Sequence, residues 1–155
     1  MKYQRLKKYA LTKNLEHNHL LPSGASGTYY KLPYGVGVKV YFGSGCRHPN
    51  KVRRTEEWWE ACRALGNMRK VYSSGLVPKG YCVAPVKVDG YYYVGLFMQH
   101  IEGTHESVSD RTYKIICNKL KKLGIEHYDL GSHNILMTST GKMFVIDWDS
   151  AGKYR

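Results

Sequence analysis

Three polar residues near the end of the chain stand at spacings that suit phosphate and metal chemistry: Asp129, Asn134 and Asp147, with Asp149 just beyond. Asn134 opens the apolar run Asn134-Ile135-Leu136-Met137. Asp147 follows the run Met143-Phe144-Val145-Ile146, and a polar stretch from Thr138 to Lys142 joins the two. Such runs predict a hairpin, whose opposite ends meet in space. Residue 134 then lies close to residue 147, so Asn134 and Asp147 can share one divalent cation while Asp129 stands beside it. Hard oxygen ligands of this kind suit Mg²⁺, which keeps several waters and binds through few carboxylates together with substrate phosphates.

These side chains need a scaffold, and 155 residues are enough for one domain with a real core. No apolar run approaches the roughly 18 residues that span a bilayer, and the start, MKYQRLKKYALTKNLE, is charged where a signal peptide would be apolar. A cytoplasmic protein without a membrane partner is the expectation. Cys46, Cys62, Cys82 and Cys117 are too widely spread for a paired zinc motif or a disulfide framework, so reduced, buried thiols are expected. Cys46 and His48 form a lone Cys/His pair, which by itself makes no metal site.

The net charge of +12 is unevenly placed, with 15 Lys and Arg against 4 Glu in residues 1–80 and 9 against 8 acids in residues 81–155. A basic first half favours a polyanionic partner, whether nucleic acid, a nucleotide or an acidic protein surface. A solvated basic face accounts for the charge equally well.

The pattern along the chain predicts a basic arm or helix over residues 1–19 and one domain over 20–155, made of lobes at about 20–100 and 101–155. Residues 20–42 read as a meander of about three strands, with turns at Pro22 to Gly27 and Leu32 to Gly35. GSGCRHPNK reads as a loop. Arg54 to Tyr72 reads as a helix capped by Thr55, with Trp58, Cys62, Leu65, Met68 or Arg69, and Tyr72 on its apolar stripe. Gly80 to Val88 and Tyr91 to His100 are strands joined by Asp89-Gly90, a type I′ turn signal. Ser109 to Leu123 is a second helix, with Tyr113, Ile116, Leu120 and Leu123 on one stripe and Gly124 at its end.

The terminal segment resembles the protein-kinase superfamily, whose catalytic loop reads H-R-D-L-x-x-x-N and whose metal-binding Asp opens D-F-G. This chain has His127-Tyr128-Asp129-Leu130-Gly131-Ser132-His133-Asn134-Ile135-Leu136, then Phe144-Val145-Ile146-Asp147-Trp148-Asp149. The wording "NIL" and "IDWD" looks most like the RIO-type, lipopolysaccharide-type and aminoglycoside phosphotransferase-type branches. Two loops at the right spacing and in the right order form a more specific signal than either alone. The implied fold class is α+β: a kinase-like fold with an antiparallel-sheet N-lobe, one helix and a strongly reduced C-lobe.

Upstream parts follow in family order. Gly24, Ala25, Ser26 and Gly27 lie where the glycine-rich loop belongs, keeping two of its three glycines, and their amides would cradle phosphates. Lys39 corresponds to the lysine of V-A-I-K and would hold the α/β-phosphates. Its carboxylate partner would come from Glu57 or Glu60 on the first helix, and Glu60 is favoured. Leu96 to Gly103 resembles the hinge, where backbone groups meet adenine; Met98 would be the gatekeeper, and His100 belongs to the same stretch. Each of these signals is weak alone, since glycine turns, strand lysines and core methionines are common.

The resemblance implies ATP and Mg²⁺ as cofactors and transfer of the γ-phosphoryl group to a protein (Ser/Thr) or small-molecule hydroxyl. Asp129, Lys39 and Asn134 would be catalytic, with Asp129 accepting or orienting the hydroxyl proton. Asn134 and Asp147 would bind the metal, while His127 takes no chemical role. The sequence stops six residues after Asp149 and holds no A-P-E, so the family's peptide groove is not expected. Two other classes stay open: a nucleotide-binding pseudokinase or inhibitor module engaging an acidic partner, and a nucleic-acid-binding protein using Trp58, Trp59 and Tyr91 to Tyr93.

Overall fold

The structure, a computed structural model, describes residues 27–153 together with Arg5, Asn14, Leu15, Ser23 and Gly24. Most of the expected arm over residues 1–19 lies outside the described residues, as do Ala25 and Ser26. The class is α+β, with mainly antiparallel sheets and few helices. Two compact units divide the chain: Met1–Leu65 with Gly80–His100, and Gly66–Lys79 with Ile101–Arg155.

The first unit holds a six-stranded sheet of β1 (Asn14–Leu15), β2 (Ser23–Gly24), β3 (Gly27–Leu32), β4 (Val36–Cys46), β5 (Gly80–Val88) and β6 (Tyr91–Gln99). Its order is β1-β5-β6-β4-β3-β2, antiparallel except for the β1–β5 pair. Two turns set the register. Tyr34 and Gly35 (φ 63° and 68°) close β3 onto β4, and Asp89 and Gly90 (φ 47° and 88°) close β5 onto β6 in the expected I′ manner. Period-two alternation sends Tyr30, Leu32, Val36, Val38 and Val40 into one apolar cluster with Cys82, Ala84, Val86, Val88 and Phe97, against which Leu15, Tyr81 and Tyr93 pack. Gly95 sits among them, where a Cβ would run into Val86, Val38 and Phe97.

The stretch read as a loop, GSGCRHPNK, instead carries β4 on to Cys46 and then forms the short helix α1 (Pro49–Val52), with Pro49 in its first turn. Gly43 and Gly45 permit this because the Glu57 carboxylate and the Tyr93 side chain occupy the places their Cβ atoms would take.

Helix α2 (Glu56–Val71) begins as expected, since the Thr55 hydroxyl oxygen accepts the Trp58 N–H at 3.4 Å and Glu56 and Glu57 face the positive end of the helix dipole. Of its expected stripe Leu65 and Met68 are buried, Trp58 and Cys62 are half-buried and Tyr72 is exposed, and Ala61, Ala64 and Val71 complete the buried face. Small alanines allow close packing where the large aromatics cannot fit.

The second unit takes the end of α2 and adds β7 (Thr104–His105), α3 (Asp110–Lys122), β8 (Ile125–His127), β9 (Ile135–Met137), β10 (Met143–Val145) and β11 (Ala151–Lys153). Its sheets run β10-β9-β7 and β11-β8. Ser109 caps α3 by accepting the Thr112 N–H at 3.2 Å, and Gly124 (φ 71°) follows its end. Ile116 and Leu120 are buried as expected, whereas Tyr113 and Leu123 are exposed; α3 packs on β8 through a narrow stripe. None of the four cysteines is in a disulfide, but only Cys82 is buried. No helix among the described residues is long and apolar enough to cross a membrane.

Two glycines give opposite expectations. Gly66 lies exposed inside α2, where a Cβ meets no atom within 4 Å. Gly66→Ala should therefore stabilise the fold by about 0.5–1 kcal/mol, through the helix preference for alanine. Gly95→Ala should destabilise it by about 1–3 kcal/mol through overpacking. Urea denaturation read by circular dichroism compares the two.

Candidate functional site

The loop between β8 and β9 is coiled tightly. Leu130 N–H donates to the His127 carbonyl at 3.2 Å, and Asn134 N–H to the Gly131 carbonyl at 2.9 Å, so residues 129 and 134 face each other across two successive turns. Asn134 is buried, and its Nδ2 donates to both the backbone carbonyl (2.8 Å) and Oδ2 (3.0 Å) of Asp129. With both amide hydrogens given to Asp129, the Oδ1 carbonyl is the group left to meet a cation. The spacing places Asp129 beside the pair Asn134 and Asp147; the structure bonds it directly to Asn134.

His133, to which the motif gives no role, also enters here. His133 places Nε2 3.3 Å from Asp129 Oδ2, and its ring lies over Gly131 where a Cβ would be. Asp129 is exposed, and the hydrogen bond from His133, assisted by Asn134, holds its carboxyl below the usual carboxylate range. Both side-chain donors fall on Oδ2, leaving Oδ1 without a hydrogen bond among the described residues.

Asp147 is positioned by a fastened frame. Ile146 N–H donates to the Asn134 carbonyl at 2.9 Å, continuing the β9–β10 ladder in which Val145 pairs with Ile135. The buried His127 donates through Nε2 to the Ile146 carbonyl at 3.0 Å and meets Trp148 edge to face, ring centroids 5.0 Å apart. Trp148 Nε1–H in turn reaches the Val145 carbonyl at 2.9 Å. Behind them β11 pairs with β8, and the buried Asn67 of α2, another residue the sequence reading missed, donates to the Ala151 carbonyl at 2.8 Å. Asp147 itself is left-handed (φ 59°, ψ 71°), a conformation that costs a non-glycine residue about 1 kcal/mol and marks functional sites. The hairpin ends thus meet as expected, and one amide oxygen and one carboxylate suit a Mg²⁺ that keeps its waters and phosphate ligands. Among the described residues, no three His, Cys, Asp or Glu side chains gather as a metal site.

The other expected residues lie in the first unit. Gly27 (φ 155°) lies so close to the next strand that a Cβ would strike the Val40 carbonyl. Gly24 in β2 pairs with Gly27 in β3. Lys39 on β4 stands opposite Tyr29 and Leu96, its Nζ 5.3 Å from the Tyr41 ring centre. The Glu57 carboxylate is placed against Gly43, while Glu60 is half-buried one turn further along α2. Met98 pairs with Gly37. His100, expected to face a ligand, is engaged internally: its N–H donates to the Gly35 carbonyl at 2.8 Å and its ring pairs with Tyr29. No protein-family model and no curated protein matches the chain.

Burial pushes the His127 imidazole below its ordinary 6.5, outweighing the pull of the Ile146 and Asp147 backbone and the nearby carboxylates, and its buried Nδ1 has no hydrogen-bond partner among the described residues. The folded state therefore resists a proton that the unfolded chain accepts. Stability should fall as pH drops below about 6.5 and level off beneath the folded value. His127→Gln keeps an N–H for the Ile146 carbonyl and removes the titration, so its urea midpoint should depend less on pH between about 5 and 7.5 than that of the wild type.

Proposed function

We propose that this chain is an ATP- and Mg²⁺-dependent phosphotransferase similar to the protein-kinase superfamily, passing the γ-phosphoryl group to a protein (Ser/Thr) or small-molecule hydroxyl. The observation that carries this reading is the Asn134 amide, which holds Asp129 with both its hydrogens and keeps its oxygen for a cation beside the left-handed Asp147. The left-handed backbone of Asp147 supports it, since non-glycine residues held in that region cluster at functional sites. The order of parts supports it too: a glycine turn, a strand lysine, a helix with glutamates, a strand leading to Met98, then the two loops.

In this reading the amides around Gly24 and Gly27, with Lys39, hold the phosphates, and Glu60 orients Lys39. Asn134 Oδ1 and the Asp147 carboxylate hold Mg²⁺, which when bound neutralises charge on the phosphate oxygens. The acceptor hydroxyl oxygen forms a bond to the γ-phosphorus as the bond to the β-bridging oxygen breaks. ADP leaves, and the hydroxyl proton passes to Asp129 Oδ1, the oxygen not engaged by His133 and Asn134.

Incubation with γ-labelled ATP and Mg²⁺ should yield labelled protein or released phosphate, and Asp129→Asn should slow that turnover about 10²–10⁴-fold. ATP at 100 times its dissociation constant should stabilise the chain by about 2.7 kcal/mol with Mg²⁺. Asp147→Ala should remove the metal-dependent part of that stabilisation. ATP binding without turnover would instead leave a nucleotide-binding module.

A further inference from the structure

Tyr29, Gly37, Lys39 and Met98 share one face of the first unit's sheet. Tyr29 pairs with Lys39 and Gly37 with Met98, and residues 37 and 39 are two apart on β4. The Tyr29 side chain lies diagonally across this face, its ring and hydroxyl filling the place a side chain on Gly37 would take. The hydroxyl lies 3.0 Å from His100 Nδ1, and the two rings stack with centroids 5.8 Å apart and planes at 26°. The His100 N–H is itself fixed on the Gly35 carbonyl. Burial pushes the Tyr29 phenol up to about 12, so it stays neutral and able to donate to the imidazole.

An aromatic ring lying over a cross-strand glycine is a known way to stabilise a sheet. That accounts for the ring over Gly37. It does not account for a hydroxyl latched to His100, which lies 71 residues away at the end of β6. Met98, the gatekeeper of the stretch that meets the base in the nucleotide reading, pairs with the glycine that the ring covers; His100, in the same stretch, is the latch itself.

We propose that Tyr29 is a gate on the base subsite: latched to His100 it lies on the sheet face a nucleobase requires, and the base binds only when the ring leaves Gly37. This inference rests on the nucleotide-binding reading above. It makes Tyr29 a determinant of base affinity and leaves phosphate affinity untouched. A gate closed about 90–99% of the time weakens apparent binding about 10- to 100-fold, because only the open fraction is competent.

The test is calorimetric titration of the full chain with ATP and, separately, with inorganic tripolyphosphate, both with Mg²⁺. The comparison covers the wild type, Tyr29→Phe and Tyr29→Ala. Phe keeps the ring and the packing and loses only the latch, so it reports even if Ala folds poorly. The gate requires ATP affinity to rise several-fold in Phe and about 10-fold or more in Ala, with tripolyphosphate affinity unchanged in both. Equal ATP affinity in wild type and Phe overturns the gate alone. Weaker ATP binding in either variant also overturns it, showing that the ring is a platform on which the base stacks. Tripolyphosphate binding with no ATP preference in any variant leaves a phosphate site without a base subsite and overturns the gate. Failure of all three proteins to bind either ligand overturns the nucleotide reading and the gate together.

Discussion

The buried imidazole of His127, donating to the Ile146 carbonyl, fastens the loop that carries Asp129 to the strand end that carries Asp147. Its ring also backs Trp148, whose indole N–H returns to the Val145 carbonyl, so Val145 and Ile146 before Asp147 and Trp148 after it are all engaged. The His127 bond adds a side-chain tie to the backbone one, in which the Ile146 N–H donates to the Asn134 carbonyl. Burying a titratable ring with one nitrogen unpartnered is costly, by about 1–3 kcal/mol. Together with the left-handed Asp147, it concentrates local conflict in a few residues of a unit that is otherwise regularly paired. Such clustering is the physical signature of a region shaped by more than stability.

Much of this architecture was legible because strand alternation and turn chemistry are local. Asp89-Gly90 announced the β5–β6 hairpin, and the apolar runs on either side of Thr138 to Lys142 announced the β9–β10 hairpin, since in both the deciding residues are adjacent in the chain. The face of α2 was legible at Leu65 and Met68 and not at Ala61 and Ala64, which add little to an apolar pattern yet occupy its deepest positions, while the large Trp58 stays half-buried. Strands β7 and β11 are too short for any alternation to show, and they exist because partners in β9 and β8 recruit them.

The candidate site was legible as a set of residue types and not as a set of bonds. Spacing identified Asp129, Asn134 and Asp147, but not that Asn134 would hold Asp129, nor that His133 would turn onto the same oxygen. The loop's two turns create those contacts, and turns of that kind carry no periodic signal. The pairing of Tyr29 with His100 was more remote still: it depends on the sheet order that sets β6 beside β4, and on a glycine whose value lies in the side chain it lacks.

The left-handed backbone at Asp147 narrows the alphabet of that position twice over. Conformation alone admits glycine, asparagine and aspartate and penalises branched residues, whereas the proposed cation, shared with the neutral Asn134 amide, needs its negative protein ligand at this position. A library of variants sorted only for folding would keep Gly and Asn at position 147 beside Asp; one sorted for a metal-dependent activity would keep Asp alone. The difference between the two surviving alphabets would separate what the chain needs in order to stand from what it needs in order to act.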